Sequence, residues 1–238
     1  MRFENKTVVI ASSGGSLGIA IEKKMREEGA KTVLLTKKEE ELKSLPEETL
    51  SLFIPDFTDE AKVEEAFKKT KETFGSVDVI VTAIFEKAPE KAWDEITSEE
   101  AHQVVHGILT GARTVIKYFL PVMVEKEQGR VVILMPVSGR TNVPGMPWTE
   151  ALAYAGLGGI IRNGATVFGK NSVTFNGVAV GPVEGMDLPS YIENEVKGVW
   201  GRKASADDAA YAVMYLADEE GAWNTGEIID LNGGYFAI

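Results

Sequence analysis

The chain has 238 residues with 25 basic and 36 acidic side chains, a formal charge of −11, and no cysteine. That excludes disulfides, thiolate nucleophiles and sulfur-ligated metals, and it disfavours nucleic acid and anionic membranes as partners. Hydrophobic residues at 44% and charged residues at 26% are ordinary for a compact globular chain, read as one domain over residues 1–238.

The opening MRFENKTVVIASS runs straight into a strand, too short and too polar for a signal peptide. No run reaches membrane-spanning length, so the expected location is cytoplasmic. Short β-branched runs then recur: TVVIA (7–11), KTVLLT (31–36), LSLFI (50–54), VDVIVT (77–82), RVVILM (130–135), SVTFNGVAV (172–180) and EIIDL (227–231). Each is nearly continuous apolar sequence, which predicts parallel strands buried on both faces. Between them, IAIEKKMREEG, EAKVEEAFKKTKETFG and ADDAAYAVMYLADEE space apolar residues by three and four, as sheet-covering helices do. Gly29 and Gly75 stand where C-terminal glycines belong, and Ser98, ahead of Glu99 and Glu100, reads as the N-cap of a helix running to about Lys126. This order predicts an α/β fold: a doubly wound, Rossmann-type parallel sheet of about seven strands with helices on both faces. His102 and His106 share a helix face without a third ligand, so they are read as polar helix residues and no metal is expected. Gly185 to Lys203 reads as a mobile loop with a short helix, positioned to act as a lid. Trp93, Trp200 and Trp223 are expected to pack helices or line that loop, and Trp148 to stand near a site mouth. Met123, Met135, Met146, Met186 and Met214 are expected to fill the core or pocket.

Four segments carry a resemblance: LTGA (109–112), QGRVVILM (128–135), NGVAVGPVEG (176–185) and TGEIIDLNGGY (225–235). In order and spacing they resemble the framework motifs of the short-chain dehydrogenase/reductase family along almost the whole chain. The resemblance implies an oxidoreductase linked to NADP(H) and acting on a small organic carbonyl or alcohol. It also implies a homodimer or homotetramer, formed through the long helix, the helix from Trp148 and the C-terminal NGGYFAI. Asp56, beside Phe57, matches the family's aspartate near the adenine, and Val183 follows the sixth strand where the cofactor passes. The family's TGxxxGxG turn is here Ala11, Ser12, Ser13, Gly14, Gly15, Ser16, Leu17 and Gly18. Such a turn brings backbone amides to a pyrophosphate at a helix N-terminus. The hydroxyls of Ser12, Ser13 and Ser16 are candidate phosphate donors. The second strand ends Thr36, Lys37, Lys38, which suits a 2′-phosphate; the competing reading makes KKEEEL the start of a solvated helix. The NNAG segment is replaced by Thr82, Ala83, Ile84 and Phe85. Phe85 in a glycine's place resembles the halohydrin dehalogenases, relatives that kept the fold and gave up the dinucleotide.

The family's tyrosine, lysine, serine and asparagine fall on Glu150, Tyr154, Pro136 and Ile108, so the whole tetrad is replaced. Glu150 and Tyr154, four residues apart on one helix, share the face that borders the site in this fold. The expected catalytic set is therefore Glu150 with Tyr154 or Ser138, acting by proton transfer, hydration or elimination rather than hydride transfer. Against it stands the structural reading, in which Glu150 complements the helix dipole and Tyr154 fills a pocket. A cofactor-free enzyme and a non-catalytic ligand-binding or partner subunit, associating with an intact homologue, are the alternatives.

Overall fold

A computed structural model describes residues 1–141, 143, 145–186 and 199–235. Seven parallel strands form one sheet in the order β3-β2-β1-β4-β5-β6-β7: β1 Thr7–Ser12, β2 Lys31–Thr36, β3 Leu50–Phe53, β4 Val79–Ala83, β5 Gly129–Pro136, β6 Val173–Val180 and β7 Ile228–Leu231. The helices are α1 Ser16–Glu27, α2 Glu60–Phe74, α3 Ser98–Val105, α4 Gly111–Glu125, α5 Trp148–Phe168 and α6 Ala206–Ala217. The continuous apolar runs follow from two covered faces. On β1, Val9 and Ala11 point into the core under α2, α4 and α5. Val8 and Ile10 point into the core under α1 and α6. The edges depart from the expected pattern. Every residue of β3 is partly exposed, with Phe53 at 40%, and β7 is buried only at Ile228 rather than throughout. An edge strand lacks a neighbour on one side, and the helices above it do not reach its rim.

Gly29 and Gly75 end their helices at φ 91° and 77°, as C-terminal glycines do. The cap of α3 is Thr97, not Ser98: its hydroxyl accepts from Glu100 N while the Glu100 carboxylate takes Thr97 N, a full capping box. A π turn, His106–Thr110, joins α3 to α4. The three pieces run on as 28 residues, Ser98–Glu125, long and apolar enough by length and composition to cross a membrane, which corrects the expectation that no run reaches that length. Half of that apolar window is buried within the protein, where Val104, Ile108, Val115 and Phe119 join the core.

Trp93, Trp200 and Trp223 are 75%, 71% and 99% exposed; Trp93 packs on the first residue of α5 and Trp200 lies in the loop, whereas Trp223 stands almost wholly in solvent, against expectation. Met123, Met135 and Met214 are buried, as read. The central part of the expected lid, residues 187–198, lies outside the described residues, as do the last three positions of NGGYFAI.

Candidate functional site

Strand order reverses between β1 and β4, and in open α/β sheets the crevice at the carboxyl ends of such strands is where ligands bind. A cleft of about 430 Å³ opens there. Its outer end is walled by the β1–α1 turn (Ser13, Gly14, Gly15) with Lys37 and Lys38; its inner end by Pro136, Val137, Glu150 and Tyr154. Phe85 and Glu86, just past β4, form the floor between the two ends.

At the inner end, α5 delivers Glu150 in its first turn and Tyr154 one turn on, both buried (3% and 2% exposed) and both lining the cleft, as the four-residue spacing predicts. Glu150 Oε1 accepts the Ala88 N–H at 3.0 Å. The Tyr154 hydroxyl donates to the Glu86 carbonyl at 3.2 Å and accepts the Glu86 N–H at 3.3 Å. Burial, and next the charge of Glu150, push its phenol far above the ordinary range. Tyr154 therefore keeps its proton, and both hydrogen-bonding sites of its oxygen are engaged with backbone. Pro136 does line the cleft at the serine position, and Ile108 is wholly buried in the π turn. Ser138 is 4% exposed, is not among the lining residues, and its hydroxyl has no protein partner among the described residues. Trp148 packs its ring against Trp93 at 5.7 Å.

At the outer end the turn keeps the left-handed backbone that only glycine adopts freely, φ 98° at Gly14 and 92° at Gly15. Several of its polar groups are already engaged within the chain. Ser12 Oγ accepts Gly14 N–H at 3.1 Å, and Ser13 Oγ accepts Phe85 N–H at 2.9 Å. The Ser16 hydroxyl donates to the Glu184 carbonyl at 2.7 Å, spanning from the turn to the loop after β6. Gly15 N–H donates to Glu41 Oε1 at 2.6 Å, and the Thr36 hydroxyl donates to Glu41 Oε2 at 2.7 Å. Lys37 is ion-paired to Glu86. The Lys38 stem lies over Gly14 so closely that a Cβ there would sit 2.6 Å from it. Leu17 lines the cleft, whereas Gly18 packs on Ser12. Asp56 accepts from Thr58 N and Oγ1, both at 2.8 Å, and like Phe57, Ala83 and Val183 it does not line the cleft. Those last three are core residues.

Glu41 is the residue that sequence reading missed. KKEEEL forms a single 3₁₀ segment, Glu39–Ser44, in which Glu39 and Glu40 face water and Glu41 is 8% exposed. Three residues per turn put one acid in three inward, and the hydroxyl of Thr36 was the available signal for which. The fit to a dinucleotide follows directly. The amide that would meet an anion at the start of α1 holds a carboxylate instead, and Lys37, one of the two lysines at the end of β2, is neutralised by Glu86. The residues present do not fit a phosphate-bearing cofactor in this arrangement.

A family model described as Enoyl-(Acyl carrier protein) reductase matches residues 11–236. Among curated relatives, 3-oxoacyl-[acyl-carrier-protein] reductase FabG of Escherichia coli is 26% identical over 249 residues, covering 100% of both chains. Levodione reductase of Leifsonia aquatica is 25% identical over 261 residues, covering 99% of this chain and 96% of that one. Among solved structures, levodione reductase superposes with a TM-score of 0.86 at 25% identity over 98% of each chain. A Serratia marcescens short-chain dehydrogenase/reductase superposes at 0.90 and 19% identity over the full length of both.

Proposed function

Because this chain belongs to the short-chain dehydrogenase/reductase family, we propose that its cleft takes a small organic carbonyl or alcohol and that Glu150 moves a proton to or from it. The reaction class is enolisation, hydration or elimination: the carboxylate takes a proton from the carbon beside the carbonyl, or from a water that adds to the substrate, and gives it back to carbon, to the new alkoxide, or to a departing hydroxide that leaves as water. No hydride moves. One observation carries the reading: Glu150 presents a carboxylate to the inner end of the cleft, fixed through Oε1 by the Ala88 amide, in the helix position of the family's proton-transfer tyrosine. A positioned carboxylate is a competent general base. Tyr154 is a positioning residue in this reading, since its phenol stays protonated and tied to Glu86.

A second reading, an oxidoreductase linked to NADP(H), draws support from relatives named as reductases and from Lys38, which lines the cleft and forms no ion pair among the described residues. Association into a homodimer or homotetramer through the α5 face draws support from the exposed Leu152 and Val167 on that helix.

The test is proton exchange. A panel of small ketones, aldehydes and hydroxy compounds is incubated with the protein in heavy water, and deuterium uptake is followed by NMR. A compound exchanged by the natural chain is expected to lose on the order of 10² to 10⁴ in rate with Glu150→Gln. Unchanged exchange in that variant would remove Glu150 from the mechanism, and no exchange with any compound would favour a ligand-binding or partner subunit.

A further inference from the structure

We infer that Glu41 is a built-in anion that closes the outer end of the cleft to phosphate-bearing ligands, so that the ligand of this chain carries no phosphate at the β1–α1 turn. This sharpens the cofactor-free reading above, although it stands on separate residues. A 12-residue helix with no acidic residue in its first turn and no side-chain cap leaves its amides and the positive end of its dipole in want of an anion. That place is filled from within. Glu41 Oε1 sits 2.6 Å from Gly15 N, and Oε2 is fixed at 2.7 Å by the Thr36 hydroxyl, itself wholly buried at the end of β2. The carboxylate is anchored at both oxygens and belongs to a short helix that is tied down in turn, since Glu41 N donates to Lys38 O and the Ser44 hydroxyl donates to Glu41 O.

Two further contacts close the same place. The Lys38 stem covers Gly14, and Ser16 bonds Glu184 across the turn. An incoming phosphate would have to displace the carboxylate from Gly15 or share its site, and two anions within one hydrogen-bond length repel strongly in a partly desolvated cleft. The ligand class that remains at this end is neutral or cationic, with hydroxyl or amine donors that would find the cleft-lining Glu86 as an acceptor.

The test reads binding, not turnover, so its result is independent of whatever Glu150 does. NADPH and NADH are titrated calorimetrically into the natural chain and into Glu41→Ala and Glu41→Gln. The expected result is a dissociation constant for NADPH at least tenfold lower in the alanine variant, with glutamine between, because glutamine keeps the acceptor and loses the charge. In ¹⁵N spectra the Gly15 amide signal is expected to respond to NADPH in the variants and to stay fixed in the natural chain. Should Glu41→Ala unfold, Thr36→Val serves instead, since it removes one of the two anchors of the carboxylate and leaves Glu41 in place. A change of less than tenfold overturns the inference, whether the cofactor binds all the proteins or none. Equal binding would mean that the carboxylate yields without cost, and absence throughout would put the block at Phe85 or at the Ser16 to Glu184 contact.

Discussion

Replacing Tyr154 by phenylalanine removes one oxygen atom and should leave two signatures. At neutral pH the variant loses a donor to Glu86 O at 3.2 Å and an acceptor for Glu86 N at 3.3 Å. Both bonds are long, so the loss falls at the low end for a pair of hydrogen bonds, about 1 to 2 kcal/mol. For a chain of this size that lowers the melting temperature by about 2 to 8 °C. The second signature is the pH dependence. In the unfolded chain the phenol titrates near its ordinary value, about 10; in the folded protein, burial and then Glu150 hold it well above that. Above pH ~10 the folded state therefore keeps a proton that the unfolded state has released, and stability falls as pH rises, by about 1.4 kcal/mol per unit. This contribution is fully present below the unfolded value and is lost on the alkaline side. Phenylalanine has no proton to release. The deficit of the variant should thus shrink from pH ~10 upward and the two stability curves should cross near pH ~11. Urea denaturation followed by far-ultraviolet circular dichroism, in half-unit steps from neutral to strongly alkaline pH, reads both effects. A deficit that stays constant across the alkaline range, or no deficit at neutral pH, would refute the account of Tyr154 as a neutral, fully bonded phenol.

Glu22 is 1% exposed, and its Oε1 gathers Arg26 Nε at 2.9 Å, the Thr32 hydroxyl at 2.9 Å and the Thr49 hydroxyl at 2.6 Å. Glu22→Ala strands these donors and is expected to cost about 3 kcal/mol by denaturant unfolding. A methyl group added at Gly164 would lie 2.3 Å from the ring of Phe175. Gly164→Ala should therefore lower the thermal midpoint, because overpacking of about 1 to 3 kcal/mol outweighs a helix-propensity gain of about 1. Leu152→Glu on the exposed face of α5 should leave the circular dichroism unchanged and shift light-scattering mass toward monomer if that face joins two copies.

The order of strands and helices was legible because burial on two faces writes itself into the sequence as unbroken apolar runs, and Val8 to Ala11 serve both cores at once. Edges were not legible: LSLF reads as apolar as VIVT, yet only the second has neighbours on both sides, and neighbours are a property of topology. Thr97 was missed for Ser98 because two acids follow Ser98 directly, although the capping-box spacing favours Thr97: Glu100 stands three residues after it, whereas Ala101 stands three after Ser98. In the site, the pairing of Glu150 and Tyr154 followed from helical spacing alone. Their states did not, since what holds the Tyr154 proton is burial and then the charge of Glu150, and the backbone that takes up its hydroxyl belongs to Glu86, 68 residues away. Lys37 and Lys38 suggested a phosphate site by their type and place on the strand end. The partners Glu86 and Glu41 reach that place from a different strand and from the far side of a 3₁₀ turn, and no local pattern announces either. Ser138 was chosen for its hydroxyl; the turn after β5 instead points Pro136 and Val137 at the cleft.

The π turn at His106–Thr110 sets the phase between the two halves of the long helix. A turn widened by one residue advances everything on one side by about 100° relative to an unbroken α-helix. Val104 before it, Ile108 within it, and Val115 and Phe119 after it all meet the same core, so the wider turn takes neither half of the helix off the sheet. Tightening the turn to α geometry at its present length would rotate α3 by about 100° relative to α4 and carry Val104 off the core, whereas removing one residue would mend the ladder and leave both halves in phase. A feature that looks like a local irregularity is in effect a gear tooth: it sets the angle at which one half of the helix meets the core relative to the other.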